Sequence, residues 1–298
     1  MLDNVNFKQN IKKDIYQTTL PAQQRRIYQL QQASLDDLVT ISVDCLGTYD
    51  VAVYTAMQAD GGVDMAALLA TAQSGELTPQ EGYAFRDACQ MCEKPHFEGA
   101  DITLELFGAD LTTGVPVSLP DEVAEKLGMA PVDADVDRTS VVEKLVAARS
   151  EVLEARFADI RQQLEEGGIE SVLAACVRCH NCMTVCPICY CKTCLFKSPV
   201  FDHEPMLYMN WAQRKGAYRL PADTTLFHLT RLNHMALSCV GCGMCTSDCP
   251  AELPVGRVFR AVGQQVQETF DYEPGRDVEE PLPLVTFRED EWMEVGEE

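Results

Sequence analysis

Cys176-Val177-Arg178-Cys179-His180-Asn181-Cys182-Met183-Thr184-Val185-Cys186-Pro187 and Cys239-Val240-Gly241-Cys242-Gly243-Met244-Cys245-Thr246-Ser247-Asp248-Cys249-Pro250 are two copies of one cysteine pattern. This is the spacing with which thiolates hold 4Fe–4S cubanes: a tight loop and a first helical turn converge three sulfurs on one cube, and the fourth sulfur serves the other. The proline ends each run where no backbone donor is needed. Two copies closing on Cys-Pro point to two 4Fe–4S clusters. By the crossover of fourth ligands, Cys176, Cys179, Cys182 and Cys249 are the candidate ligands of one cluster. Cys239, Cys242, Cys245 and Cys186 are those of the other. Gly241 and Gly243 flank Cys242, where small residues let backbone amides approach the cluster sulfurs.

Composition narrows the setting. At 298 residues the chain has room for two domains, and 46% hydrophobic content supports real cores. Fourteen cysteines could suggest disulfides, but the chain is too long for a small stapled scaffold. The opening stretch Met1–Lys8 lacks the apolar run that export requires, and no apolar stretch is long enough to span a bilayer. A cytoplasmic location without membrane insertion follows as the expectation, with thiols kept reduced and used as metal ligands, as in an anaerobic setting. The net charge of −22 argues against nucleic acid as a partner. The same acidity suits solubility, a salt-adapted proteome or docking onto a basic surface.

Along the chain the patterns change from mixed to helical. Gln23 to Gln32 reads as a polar helix, and Leu38 to Val43 as a buried strand delivering Cys45 to a loop. Asp64 to Gln73 reads as a helix, Thr78 to Phe85 as another with Pro79 at its first position, and Ile102 to Gly108 as a strand. Pro131 to Asp137 is a short acidic linker before an amphipathic helix from Ser140 to Glu166, stopped by Gly167-Gly168. Thr224 to Leu237 and Val255 to Thr269 read as helices between and after the cysteine runs. From Asp271 the tail carries eleven acidic and two basic residues. The expected fold class is α+β: an α/β domain over 1–130, a linker and long helix over 131–170, an α-helical dicluster domain over 171–270, and an acidic tail over 271–298.

Six cysteines remain: Cys45, Cys89, Cys92, Cys189, Cys191 and Cys194. Cys89-x2-Cys92 and Cys191-x2-Cys194 are each half of a metal site. Together they could hold a third 4Fe–4S cluster, or a structural zinc with four thiolates, since tetrahedral sulfur suits both. Cys45 alone would ordinarily be a small buried hydrophobe. His96, His180, His203, His228 and His234 show no paired-ligand pattern, and neither a nucleophile triad nor a phosphate-binding glycine loop is present.

Two resemblances extend this reading. Residues 171 to about 270 resemble the helical dicluster ferredoxin of heterodisulfide reductase C-type and succinate dehydrogenase iron–sulfur subunits, through the paired runs with helices between them. Residues near 38–128 resemble the C-terminal region of the beta subunits of deazaflavin-coenzyme hydrogenases and formate dehydrogenases. That likeness is carried by Val43-Asp44-Cys45-Leu46-Gly47-Thr48-Tyr49 and by Arg86-Asp87-Ala88-Cys89-Gln90-Met91-Cys92 with Ala100-Asp101-Ile102. Cys186-Pro187-Ile188-Cys189-Tyr190-Cys191-Lys192-Thr193-Cys194 is similar to members that accompany heterodisulfide-reductase-like modules. The resemblance makes Cys45 a candidate ligand. It implies a subunit relaying electrons between a formate dehydrogenase or hydrogenase catalytic subunit and a flavin-containing heterodisulfide-reductase-like partner. Flavin-binding beta subunits carry a Ser-Gly-Gly motif that this chain departs from, so no hydride-transfer site is expected. FAD, with a deazaflavin oxidoreductase activity, stands as the alternative, and a zinc scaffold or redox sensor as a third class.

Overall fold

The computed structural model describes residues 39–97, 100–112, 114–129, 138–189, 191, 194–201, 204–216, 222–276 and 280–283. The expected helix Gln23–Gln32, the acidic linker, most of the acidic tail, Tyr190 and His203 lie outside the described residues. The chain divides into two compact units, one ending at Arg156 and one beginning at Phe157. No helix among the described residues is long and apolar enough to cross a membrane.

The first unit holds all the strands among the described residues. In chain order it contains β1 (Ile41–Val43), α1 (Val51–Ala59), α2 (Met65–Gln73), α3 (Asp87–Gln90), β2 (Ile102–Leu104), β3 (Val117–Ser118), α4 (Asp121–Leu127) and the start of α5 (Arg138–Val172). β1 pairs parallel with β2, Ile41 opposite Ile102, and β3 closes the sheet antiparallel to β2. A parallel pair needs a long crossover, which α1 to α3 supply. The expectation of a buried first strand is corrected: Val39, Ile41 and Val43 are 64%, 63% and 52% exposed. Its β-branched run satisfies strand propensity at a sheet edge, where one face stays open.

Asp64 caps α2, its carboxylate accepting from the Ala67 amide at 3.0 Å. The helix expected over Thr78 to Phe85 does not form; these residues make turns before α3. Their polar groups go elsewhere: the Asp64 amide donates to Gln80 Oε1 at 3.0 Å, and the Gln80 amide donates to the Tyr49 hydroxyl at 3.3 Å. The core of this unit joins Leu68, Ala72, Leu77, Phe85 and Phe107 to Val142 and Leu145 of α5.

The glycine pair interrupts α5 where the sequence places its stop: Gly168 takes non-helical backbone at φ 68°, ψ 174°, and a second helical stretch follows to Val172. The second unit continues with α6 (Asn181–Thr184), α7 (Pro205–Lys215), α8 (Ala222–Met235), α9 (Met244–Ser247) and α10 (Val255–Thr269). Short 3-10 turns at Leu195–Lys197 and Pro199–Phe201 precede α7. The core gathers Ile160 of α5, Phe196, Phe227 and Leu232 of α8, and Val255, Val258 and Phe259 of α10. Cysteines of both runs pack against it. The described residues are therefore helix-rich, with one small mixed sheet.

Candidate metal centre

The two cysteine loops follow one backbone course. In the first, Arg178 and His180 take left-handed φ values of 58° and 61° on either side of Cys179. In the second, Gly241 and Gly243 both take 67° around Cys242. Each loop then enters a one-turn helix, α6 from His180 and α9 from Gly243. The amide two residues on donates to the leading thiol in both, Arg178 to Cys176 and Gly241 to Cys239. The left-handed turns fold the amides inward and aim three thiols at one volume.

That convergence brings the candidate ligands together as sets. Cys176, Cys179, Cys182 and Cys249 line one cavity, closed by His180, Phe227, His228, Leu253 and Val255. Cys239 and Cys245 each feel the charges of Cys242 and Cys186. Thus Cys249 lies with the first loop and Cys186 with the second. Burial pushes the Cys182 and Cys239 thiols up to about 11, and raises Cys245 and Cys176 as well. Such thiols stay protonated on their own and release the proton to solvent when they bond a metal, whose charge replaces it. Four soft sulfur donors in an apolar, amide-lined pocket fit a thiolate-ligated iron–sulfur cube. Among the described residues no three His, Cys, Asp or Glu side chains close on a single ion. One zinc would need its sulfurs about 2.3 Å from a common centre.

Side chains around the two loops differ. Arg231 of α8, only 3% exposed, donates through one terminal nitrogen to Cys182 Sγ at 3.1 Å and through the other to the Cys182 carbonyl at 2.9 Å. His228 lies 3.5 Å from Cys176 Sγ through Nε2, and burial pushes it down to about 4, aided by the charges of Arg231 and His180. It is a neutral imidazole there. His180 stacks on Phe227 with centroids 4.5 Å apart, and Arg178 pairs with Asp223 at 2.5 Å. At the second loop the buried amide of Gln267 donates to the carbonyls of Ala236, Leu237 and Cys239 at 3.2, 2.9 and 3.0 Å.

The remaining cysteines fall into two groups. In the first unit, Cys92 feels the charges of Cys45 and Cys89, receives the Lys94 amide, and is raised mainly by burial. The Cys45 amide donates to the Pro95 carbonyl at 2.7 Å, joining the two thiol-bearing loops. Asp44 fixes the loop from below. Fully buried, it accepts from the Leu106 and Phe107 amides at 2.8 and 2.9 Å and from both terminal nitrogens of Arg138 at 2.6 and 2.8 Å. In the second unit, Cys189 feels Cys186, Cys194 and Cys191, and Cys191 is exposed.

Sequence reasoning passed over Arg231 and Asp44. The signal for Arg231 was present: Thr224, Phe227, His228, Arg231 and Met235 share one buried face of α8. A cation inside an apolar stripe marks a partner across the fold.

Comparisons with known proteins agree with the site. Residues 172–253 match the family described as "4Fe-4S dicluster domain". The F420-dependent formate dehydrogenase subunit beta of Methanocaldococcus jannaschii is 24% identical over 282 residues, which cover 85% of this chain and 70% of that protein. The F420-dependent formate dehydrogenase 1 subunit beta of Methanococcus maripaludis is 28% identical over 109 residues, covering 37% of this chain and 24% of that protein. The chain thus spans about a quarter of the second relative. Two duplicated cysteine loops on a helical core, inside that longer similarity, make this chain a homologue of the F420-dependent formate dehydrogenase beta subunit that carries a 4Fe–4S dicluster domain.

Proposed function

We propose that the chain is the electron-transfer subunit of a formate dehydrogenase or hydrogenase complex, relaying electrons between its catalytic subunit and a flavin-containing heterodisulfide-reductase-like partner. The observation that carries this reading is the gathering of Cys176, Cys179, Cys182 and Cys249 around one cavity, with a matching loop at Cys239, Cys242 and Cys245. In this reading the first four hold one 4Fe–4S cluster, and the second three with Cys186 hold the other. Such clusters, when bound, take up and pass on one electron at a time. The protein holds the thiols in place through the left-handed turns, excludes water with Phe227, Leu253 and Val255, and donates backbone amides to sulfur. A third cluster has Cys45, Cys89 and Cys92 as its candidate ligands in the first unit. Its support is that Cys45 and Cys89 both bear on the Cys92 thiol.

Iron, acid-labile sulfide and zinc per anaerobically purified chain test the reading. Two cubanes require eight irons with equal sulfide, and three require twelve. Iron for one cubane or none, or zinc in place of iron, overturns it. The alternative, a hydride-transfer site for a deazaflavin, draws support from the F420 dependence stated in both relatives' names. A yellow cofactor released on denaturation would favour it.

A further inference from the structure

Arg231 is a charge in the wrong place for an ordinary arginine. It is 3% exposed and has no carboxylate partner among the described residues. Its Nε is buried without a hydrogen-bond acceptor, and its guanidinium lies over the rings of Phe259 and Phe227, 4.7 and 5.5 Å from their centroids. Burying a cation away from any anion carries a heavy desolvation penalty. Arginine stays protonated even there, so the charge must be answered by something else. What faces it is sulfur. One nitrogen reaches Cys182 Sγ at 3.1 Å, and its charge is felt at Cys189 and at Cys245 of the other loop.

We propose that Arg231 is the buried counter-charge to the thiolate-held clusters and sets their reduction potentials, raising that of the first loop's cluster most. The inference rests on the two-cluster reading. A low-potential one-electron donor gives up one electron and the cluster gains it, adding one negative charge beside the guanidinium; no proton follows, because arginine keeps its own. A fixed positive charge with a hydrogen bond to a ligand sulfur stabilises the reduced form over the oxidised one. Cys182 receives that bond directly, whereas the second loop receives only the field.

The test is a potentiometric titration of the full chain followed by electron paramagnetic resonance, with iron counted in each sample. Arg231→Gln is expected to keep its iron and to lower the reduction equilibrium constant of one cluster at least tenfold, about 59 mV for one electron. The other cluster moves less. Arg231→Lys, which keeps the charge, is expected to move the same cluster by a smaller factor. Unshifted potentials in loaded Arg231→Gln overturn the proposal, as do equal shifts in the two variants. If the glutamine variant does not load iron, Arg231→Lys carries the test: a drop larger in the cluster that Cys182→Ser removes supports the assignment, and unshifted potentials or a larger drop in the other cluster overturn it. Missing iron in the unaltered chain is a different failure, that of the two-cluster reading itself.

Discussion

Around the first cysteine loop a charged side chain, Arg231, clasps a cysteine carbonyl and its sulfur; around the second, the neutral amide of Gln267 clasps three carbonyls and touches no sulfur. The turns differ in the same way. Left-handed backbone is built from Arg178 and His180 in one loop and from Gly241 and Gly243 in the other. An L side chain in that region costs about 1–2 kcal/mol. The first loop accepts that cost and gains the Arg178–Asp223 pair and the stacking of His180 on Phe227. In the second loop a Cβ at Gly241 would meet Arg260 Cδ at 3.0 Å, so a side chain there requires Arg260 to shift. One backbone therefore serves two environments: a side chain bonds a cysteine sulfur beside the first loop, and a side chain bonds only main-chain carbonyls beside the second.

The comparison breaks most visibly at the ligands. Cys182→Ser and Cys242→Ser should each cost one cubane, four irons of the total, and stop electron flow while the remaining cluster keeps its signal. Iron analysis with turnover measurement checks this, and full turnover after cluster loss would contradict it. Gln267→Leu strips three carbonyls of their donor and Arg260 of an acceptor, and should destabilise the protein by about 1–3 kcal/mol while moving either potential less than Arg231→Gln moves the first cluster's. Anaerobic denaturant titration reads the first effect and redox titration the second. A potential shift there as large as that of Arg231→Gln would erase the distinction between the amide clasp and the arginine clasp.

Smaller effects sharpen the backbone half of the comparison. Gly243→Ala forces a Cβ into left-handed backbone and should cost about 1–2 kcal/mol. His180→Gly at the equivalent place relieves that strain but frees the unfolded chain and loses the ring stack, so it should stay within about 1 kcal/mol of neutral. Equal losses from the two changes would mean that the loops do not share the same conformational demand.

The parts of the molecule visible in the sequence were those with short-range signatures. The cysteine runs declare their loops through spacing alone. Helix α10 declares itself through apolar residues at helical intervals, and its span Val255–Thr269 is the expected one. Long-range pairs left no such mark. Arg231 meets Cys182 across 49 positions, and Asp44 meets Arg138 across 94. The misread turn at Thr78–Phe85 has the same origin: proline at a helix start is a local preference, and bonds from Asp64 and to Tyr49 outweighed it. Likewise the β-branched run at Val39–Val43 satisfies strand propensity without saying which face is covered.

The swap of fourth ligands between the loops is the central claim, and Cys249→Ser tests it most directly. Electron paramagnetic resonance of the reduced variant should show altered the same cluster that Cys182→Ser removes, because Cys249 shares the cavity of Cys176, Cys179 and Cys182. If the altered signal is instead the one that Cys242→Ser removes, each run keeps its own fourth cysteine and the account is contradicted.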